Sequence, residues 1–227
     1  MTEYLDLNKA YYDHYGYPAP NVESFIFRMY GRILKFDYGI DGSKHEKLLD
    51  FGCGAGSACR YFHDLGFDVY GVDISEQDLE LARKRMPKIP DHFVKVDPKP
   101  DPNLVHAGGN VDIAISIQTL DFLSDTDFDA ALRSIHKSMK TGGFIYASMT
   151  GSQCYYKKHS TPIGDGLHRV QLKTDRLDYD ICLNFTDSEE DMKQKFGIFK
   201  CIYLDYYDSS FRNEGSEFRY TFFGQKV

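Results

Sequence analysis

The chain has 227 residues, 42% hydrophobic and 27% charged, the balance of one folded globular domain rather than of a disordered chain. A formal charge of -7 with no dense Lys/Arg block makes the surface repel a phosphate backbone, which argues against a nucleic-acid partner. No apolar run reaches the roughly 20 residues of a membrane span, and the opening MTEYLDLNKA lacks the basic and apolar regions of a signal peptide, so no membrane partner is expected and a cytoplasmic location is.

The first 46 residues hold a tyrosine-dense segment, Tyr11 to Tyr17, followed by a helix expected from Val22 to about Phe36. From Lys47 onward, short β-rich runs alternate with amphipathic helical stretches. The first strand is Lys47 to Phe51, and a glycine-rich loop then opens a helix from Ser57 to Leu65 that ends at Gly66. A second strand runs from Asp68 to Asp73. Ser75 caps the next helix with Asp78 as its capping-box partner, and Pro87 stops it.

Phe93 to Val96 reads as a third strand and Val111 to Ser116 as a fourth, separated by a Pro/Gly-rich loop. A helix over Asp127 to Met139 and a fifth strand over Phe144 to Met149 follow. Residues 150 to 187 show no helical period and are expected to be an insertion with a small hairpin. A last helix starts at Ser188 with Asp191 as box partner, and Lys200 to Asp208 with Phe218 to Gln225 forms an antiparallel hairpin around an Asn213-Glu214-Gly215 turn. Together these give an α/β fold: a doubly wound, mostly parallel sheet with helices on both faces, followed by a C-terminal antiparallel hairpin. One domain is expected, made of residues 1–46, a βα core at 47–149, the insertion 150–187, and the closing helix and hairpin 188–227.

The loop Asp50-Phe51-Gly52-Cys53-Gly54-Ala55-Gly56 is the informative stretch. A glycine turn between a parallel strand and a helix lets a ligand approach the backbone and offers N–H donors from the helix start. Asp73, 21 positions after Gly52, closes the second strand where an acidic side chain would bind ribose hydroxyls. A dinucleotide fingerprint laid on Gly52 and Gly54 would need a third glycine where Ser57 stands, and no Gly-Lys-Ser/Thr follows for a phosphate loop. Asp50 would sit poorly beside a pyrophosphate but suits a ligand bearing an ammonium and a sulfonium.

With these residues in view, the chain resembles the class I S-adenosylmethionine-dependent methyltransferases. The likeness extends over about residues 45–150, through Val-Asp-Ile-Ser, Phe-Val-Lys-Val-Asp, Val-Asp-Ile-Ala-Ile-Ser and Lys-Thr-Gly-Gly-Phe-Ile. The resemblance implies that the C-terminal antiparallel hairpin completes a seven-stranded sheet, with S-adenosylmethionine as cofactor and S-adenosylhomocysteine as product. It implies that Gly52, Cys53, Gly54 and Gly56 pass under the methionine part with Asp50 near its amino group. Asp73, with Ile74 beside it, would take the ribose, Asp97 the adenine amino group, and Ser116 through Gln118 would run toward the methyl. Asp97 before Pro98 also reads as a simple turn starter.

By the same resemblance the N-terminal residues fold over the cofactor as a lid, which makes Tyr11, Tyr12 and His14 candidates for the acceptor pocket, with Tyr155 from the insertion. If the acceptor is a hydroxyl, His14, His159 or His168 would serve as base; an amine acceptor needs none. Arg28 and Arg32 share a helix face, either solvated or paired with the cofactor carboxylate. The five cysteines are scattered, with no C-x-x-C pair, so free thiols and no metal site are expected.

The implied function is methyl transfer to an oxygen or nitrogen of a small-molecule acceptor. No Asn/Asp-Pro-Pro-Tyr/Phe run follows the fourth strand, where Ser116-Ile117-Gln118 stands, against the nucleic-acid amino-methylating branch. Two alternatives stay open: an NAD(P)-dependent oxidoreductase, disfavoured by Ser57, Asp50 and the lack of a Tyr-x-x-x-Lys pair, and a non-catalytic protein that binds the cofactor.

Overall fold

A computed structural model describes residues 22–173, 178–210 and 215–227. In chain order the strands are β1 (Lys47–Phe51), β2 (Asp68–Asp73), β3 (Phe93–Lys95), β4 (Val111–Ser116), β5 (Met139–Thr150), β6 (Ser160–Gly164), β7 (Leu167–Lys173), β8 (Asp178–Asn184), β9 (Lys200–Tyr207) and β10 (Arg219–Gln225). The helices are α1 (Ser24–Met29), α2 (Ser57–Asp64), α3 (Glu76–Arg85), α4 (Asp125–Ser138) and α5 (Glu189–Lys195). Seven strands form one sheet in the order β3-β2-β1-β4-β5-β10-β9. The first five are parallel, β10 is antiparallel to β5, and β9 is antiparallel to β10.

The central strands are buried on both faces, so they read as continuous apolar runs rather than alternating ones. In β1, Leu48 and Leu49 are both fully buried yet point to opposite sides. Leu48 joins Leu34, Phe62 and Phe67 under α1 and α2, whereas Leu49 joins Leu132, Ile135 and Phe222 under α4 and α5. Burying each such side chain contributes about 1.5–3 kcal/mol.

Three serines start three helices. The hydroxyls of Ser75, Ser124 and Ser188 accept from the backbone N–H of Asp78 (3.3 Å), Asp127 (3.2 Å) and Asp191 (3.1 Å). The reciprocal arm of the capping box is absent at the two sites where the sequence placed it: Ser75 N–H donates to Asp73 instead, and Asp191 accepts from Asp187 N–H. The Ser124 cap also starts α4 at Asp125, ahead of the expected Asp127.

Three expectations need correction. The N-terminal helix is not one rod over 22–36: α1 ends at Met29 and a π-helical turn, Tyr30–Leu34, follows. The wider turn keeps Met29, Tyr30 and Leu34 all in the core, with Tyr30 set edge-on against Phe62 and Phe67. β5 begins at Met139 rather than Phe144, because Met139 already pairs with Val111 of β4; residues 140–143 then bulge out of the ladder and Phe144 rejoins it opposite Ile113. The insertion is a three-stranded antiparallel sheet, β6-β7-β8, rather than a single hairpin.

That small sheet has its own core of Cys154, Val170, Leu183 and Phe185. It is sewn to the main sheet where Thr186 N–H donates to Thr150 O and Ser152 N–H to Thr186 O, each at 2.9 Å. The turn after β6 reaches the start of α4: Asp165 accepts from the Thr126 N–H and hydroxyl, and the Ser124 hydroxyl first, with Thr126 after it, holds its carboxyl below the ordinary value. The Asn213-Glu214 part of the hairpin turn lies outside the described residues; β9 and β10 themselves stand as expected.

Candidate functional site

The strand order reverses between β1 and β4, and the crevice outside the carboxyl ends of parallel strands at such a switch point is where ligands bind in open α/β sheets. The glycine loop leaves β1 there. Gly52 has φ +80°, and a Cβ on it would collide with the Thr119 side chain from the loop after β4, so only glycine lets the two loops close on each other. Gly52 N–H and Cys53 N–H both donate to Val72 O, at 2.8 and 3.0 Å, and Gly54 N–H donates to Asp73 Oδ2 at 2.8 Å. These three amides are therefore spent on the fold, and at these positions the loop contributes close approach; the N–H donors expected of the helix start belong to Ser57 and the residues after it.

Two cavities flank this junction, and Gly52 and Gln118 line both. The first, about 390 Å³, is walled by Phe51, Val72, Val96, Leu104, Phe122 and Leu123, with Gly54, Asp73, Ile74 and Asp97 around it. The second, about 430 Å³, is bordered by Glu23 and Ile26 of the N-terminal segment, Asp50, Cys53, Ser57 and Ile117, and no Lys or Arg among the described residues lines it. Asp50 is buried, 4% exposed, and its Oδ2 lies 3.5 Å from the Cys59 thiol. Desolvation, with a smaller push from the Asp73 charge, raises its carboxyl to about 7. Cys59, facing Cys53 and that carboxyl in the interior, is pushed well above the ordinary thiol range.

Asp73 accepts from Gly54 N–H through one oxygen and from Ser75 N–H through the other, both at 2.8 Å, bridging the glycine loop to the cap of α3. Arg85 at the end of α3 fastens the same loop by donating to Ala55 O at 2.8 Å and Ser57 Oγ at 3.1 Å. Asp97 is exposed and accepts from Lys99 N–H at 2.8 Å, an Asx turn at the rim of the first cavity.

At the far side, Gln118 sits at φ +55°, a left-handed conformation strained for a side-chain-bearing residue. Its N–H donates to Ser148 Oγ at 2.9 Å and its Nε2 to the Tyr207 hydroxyl at 3.3 Å. Tyr207 stacks on Phe25 of α1, ring centroids 4.3 Å apart. Burial raises the Tyr207 hydroxyl above its ordinary value, so it stays protonated. Beneath, the fully buried Asp121 accepts from Arg219 Nη1 at 2.8 Å and from the Thr150 hydroxyl, tying the loop after β4 to the ends of β5 and β10.

Of the expected site residues, the structure gathers Asp50, Gly52, Cys53 and Gln118 around the second cavity and Gly52, Gly54, Asp73, Ile74, Asp97 and Gln118 around the first. Others stand elsewhere. Gly56 faces α3, where a Cβ would come within 2.9 Å of Ala82 and Met86, so it serves helix packing. Ser116 is fully buried and donates to Phe51 O at 2.9 Å, pinning β4 to β1. Tyr155 packs against His159 and Gly215, and His168 is held by Lys157 Nζ at 2.9 Å over Phe185; none of Tyr155, His159 or His168 lines either cavity. Arg28 and Arg32 are exposed and line neither. Tyr11, Tyr12 and His14 fall outside the described residues.

Among the described residues no cluster of three or more His, Cys, Asp or Glu could hold a metal, the five cysteines are free thiols, and no helix is long and apolar enough to cross a membrane. Two site residues escaped the sequence reading. Thr119 had no signal beyond following Gln118, and His106 lay in a Pro/Gly-rich loop with nothing to mark that it turns inward.

Residues 49–147 match the family model described as a methyltransferase domain. Among curated proteins, a ubiquinone biosynthesis O-methyltransferase of Pelagibacter ubique is 28% identical over 104 residues, 45% of this chain and 41% of that protein. A malonyl-[acyl-carrier protein] O-methyltransferase of Enterobacter lignolyticus is 30% identical over 105 residues, 45% of this chain and 38% of that protein. The matched stretch spans less than half the length of either relative. Among solved structures, an S-adenosylmethionine-dependent methyltransferase of Methanosarcina mazei superposes with a TM-score of 0.65 at 16% identity, covering 81% of this chain and 93% of that one, a likeness of fold.

Proposed function

We propose, from the premise that residues 49–147 of this chain are a methyltransferase domain of the class I S-adenosylmethionine-dependent family, that the protein moves a methyl group from S-adenosylmethionine to an oxygen of a small-molecule acceptor. The observation that carries this is the pair of cavities meeting at Gly52 and Gln118, one apolar with Asp73 at its edge and one acidic with Asp50 buried in it. The residues fit the cofactor. Asp73 spends one lone pair of each oxygen on the backbone and keeps the others for ribose hydroxyls. Ile74, Val96 and Leu123 offer apolar faces for a flat base, and Asp50, with no Lys or Arg among the described residues lining its cavity, suits an ammonium.

The bound cofactor supplies a methyl group made electrophilic by its sulfonium. The chain's own task is to position the acceptor and exclude water. Gln118, held by Ser148, lines both cavities, and the Tyr207 hydroxyl of the Phe25–Tyr207 stack accepts from its side-chain amide. Tyr207 is too strongly protonated to act as a base, and neither His159 nor His168 borders a cavity, so among the described residues no base faces the acceptor; an oxygen that ionises easily by itself, such as a carboxylate or an acidic phenol, needs none, and a less acidic hydroxyl leaves His14 as the candidate. Both curated relatives are named as O-methyltransferases, and the malonyl-[acyl-carrier protein] relative acts, by its name, on a carrier-bound substrate. Residues 1–21, with Tyr11, Tyr12 and His14, lead directly into Val22 and Glu23 at the second cavity, which supports an acceptor-side role for them. A cytoplasmic setting goes with this reading.

The test is titration calorimetry with S-adenosylmethionine, S-adenosylhomocysteine and NAD, followed by transfer of labelled methyl to carboxylate and phenol probes and to a small-molecule extract. Binding of the first two and label on oxygen is the expected result. Binding of NAD alone overturns the reading in favour of an oxidoreductase, and cofactor binding with no label transferred to any probe or extract favours a non-catalytic binding protein.

A further inference from the structure

His106 stands in a short turn, His106–Gly108, ahead of β4, buried at 6% exposure, and lines the first cavity together with Ser134 of α4. Of the cavity's buried lining side chains, Phe51, Val72, His106 and Ser134, only the last two are polar. The imidazole is fixed from several sides. Its backbone N–H donates to Ser138 Oγ at 2.8 Å, its ring meets Phe51 edge-on at 5.6 Å, and Nε2 lies 3.0 Å from Ser134 Oγ. The Ser134 hydroxyl has one proton and donates it to Ala131 O at 3.1 Å. With that proton on Ala131 O, Nε2 carries the hydrogen between His106 and Ser134, and Nδ1 is left as a bare acceptor. Burial lowers the imidazole below its ordinary value, so this neutral tautomer persists at pH 7. Nδ1 has no hydrogen-bond partner among the described residues, yet it is not among the sealed, unpartnered polar atoms, so it keeps some accessible surface on a residue that lines the cavity.

We propose that His106 reads the base of the bound cofactor, its Nδ1 accepting from the exocyclic amino group of adenine. The inference rests on the cofactor reading above and deepens it. A six-oxo purine would turn a carbonyl lone pair toward the Nδ1 lone pair and leave a buried acceptor unpaired, which discriminates by about tenfold to a hundredfold. Asp97 borders the same cavity but is exposed and already accepts from Lys99 N–H, so water replaces what it would lose and it discriminates less. His106 is thus a specificity residue, reached through the loop before β4 rather than through the strand ends.

The experiment measures affinities for S-adenosylhomocysteine and its deaminated counterpart, S-inosylhomocysteine, by calorimetry on the wild type, His106→Gln, His106→Asn and Asp97→Asn. Glutamine keeps a donor toward Ser134 and has no acceptor at the Nδ1 position; asparagine can place a carbonyl there. The wild type should prefer the adenine compound at least about tenfold, His106→Gln should bring the two affinities together, and His106→Asn should recover part of the preference. Asp97→Asn should leave most of it. In parallel, the ¹⁵N resonance of His106 Nδ1 in the labelled wild type should move on adding S-adenosylhomocysteine and stay put with the inosine compound, a readout that needs no variant to fold. A folded His106→Gln that keeps the full preference, a wild type that binds both nucleosides equally, or an unmoved Nδ1 resonance overturns the proposal. Failure of both nucleosides to bind the wild type overturns the cofactor reading itself.

Discussion

The two cavities either side of Gly52 are close in size, about 390 and 430 Å³, and opposite in character. One has a largely apolar interior in which a histidine is kept uncharged, with Asp73, Asp97 and Asp101 also among its lining; the other holds a carboxyl that burial has raised to about 7, and no Lys or Arg among the described residues lines it. On the reading proposed above, the contrast suits a ligand with a flat uncharged end and a cationic end, each selected by a different kind of physics. Apolar burial and one hydrogen-bond acceptor serve the first, and a carboxylate that is costly to ionise until a cation arrives serves the second.

The largest way to break the contrast is at its hinge. Gly52→Val should strain a +80° φ and drive a branched side chain into Thr119, lowering stability by roughly 2–4 kcal/mol and abolishing nucleoside binding to both cavities. Urea melts and calorimetry check it, and adding Thr119→Ala should return part of the stability because one of the two insults is relieved.

Asp50→Asn should act on one cavity only. The carboxyl sits at about 7 in the fold against an ordinary 3.8, so between those values the native state holds a proton that the unfolded chain has released. Stability therefore falls as pH rises from about 4 to about 7, by up to roughly 4 kcal/mol, and levels off above. In the variant that fall should flatten in urea melts at pH 5 and pH 8. Affinity for S-adenosylhomocysteine should drop about 30-fold to 100-fold at pH 8, where the wild type offers a carboxylate to the ammonium. In the wild type the same affinity should climb as pH passes through about 7, while the variant's stays flat.

Tyr207→Phe keeps the stack on Phe25 and removes only the hydroxyl that Gln118 engages. Nucleoside affinity should stay within about twofold, and the KM of the acceptor probe should rise about fivefold, consistent with one lost hydrogen bond. Smallest of all, Arg169→Ala removes a surface pair with Asp180 whose side chains are each 51% exposed, on the small sheet away from both cavities. Melting midpoint and methyl transfer should both be unchanged within error.

The core was legible because its signals are local. Ser75, Ser188, Gly66 and Pro87 punctuate the chain where the backbone itself needs a cap or a turn, and the apolar run Leu48-Leu49 can be buried on both faces only in a central strand. The site was half legible for the same reason: Asp50, Gly52 and Asp73 act through backbone geometry that their spacing encodes. Gly56 and Ser116 share that motif, yet their neighbours are Ala82 and Phe51, contacts made across the fold that no spacing reveals. His106 needed Ser134 and Ala131 to fix its tautomer, and Thr119 needed Gly52 to give its methyl a purpose. The π-helical turn at Tyr30 is set by ring packing against Phe62 and Phe67 from elsewhere in the chain, and the hairpin expected in the insertion gained a third strand although Val170 and Leu172 already alternated with polar neighbours.

The pairing of β1 with β4 also governs how the protein comes into being. The Ser116 hydroxyl and the Phe51 carbonyl that it grips are 65 residues apart, so no short fragment carries both walls of the junction. A ribosome must have released everything through Thr119 before Gly52 has anything to close against, and closing so long a loop is slow compared with forming any of the helices on the way. The nucleoside can thus hold the finished sheet together by mass action, but it has no foothold on the nascent chain.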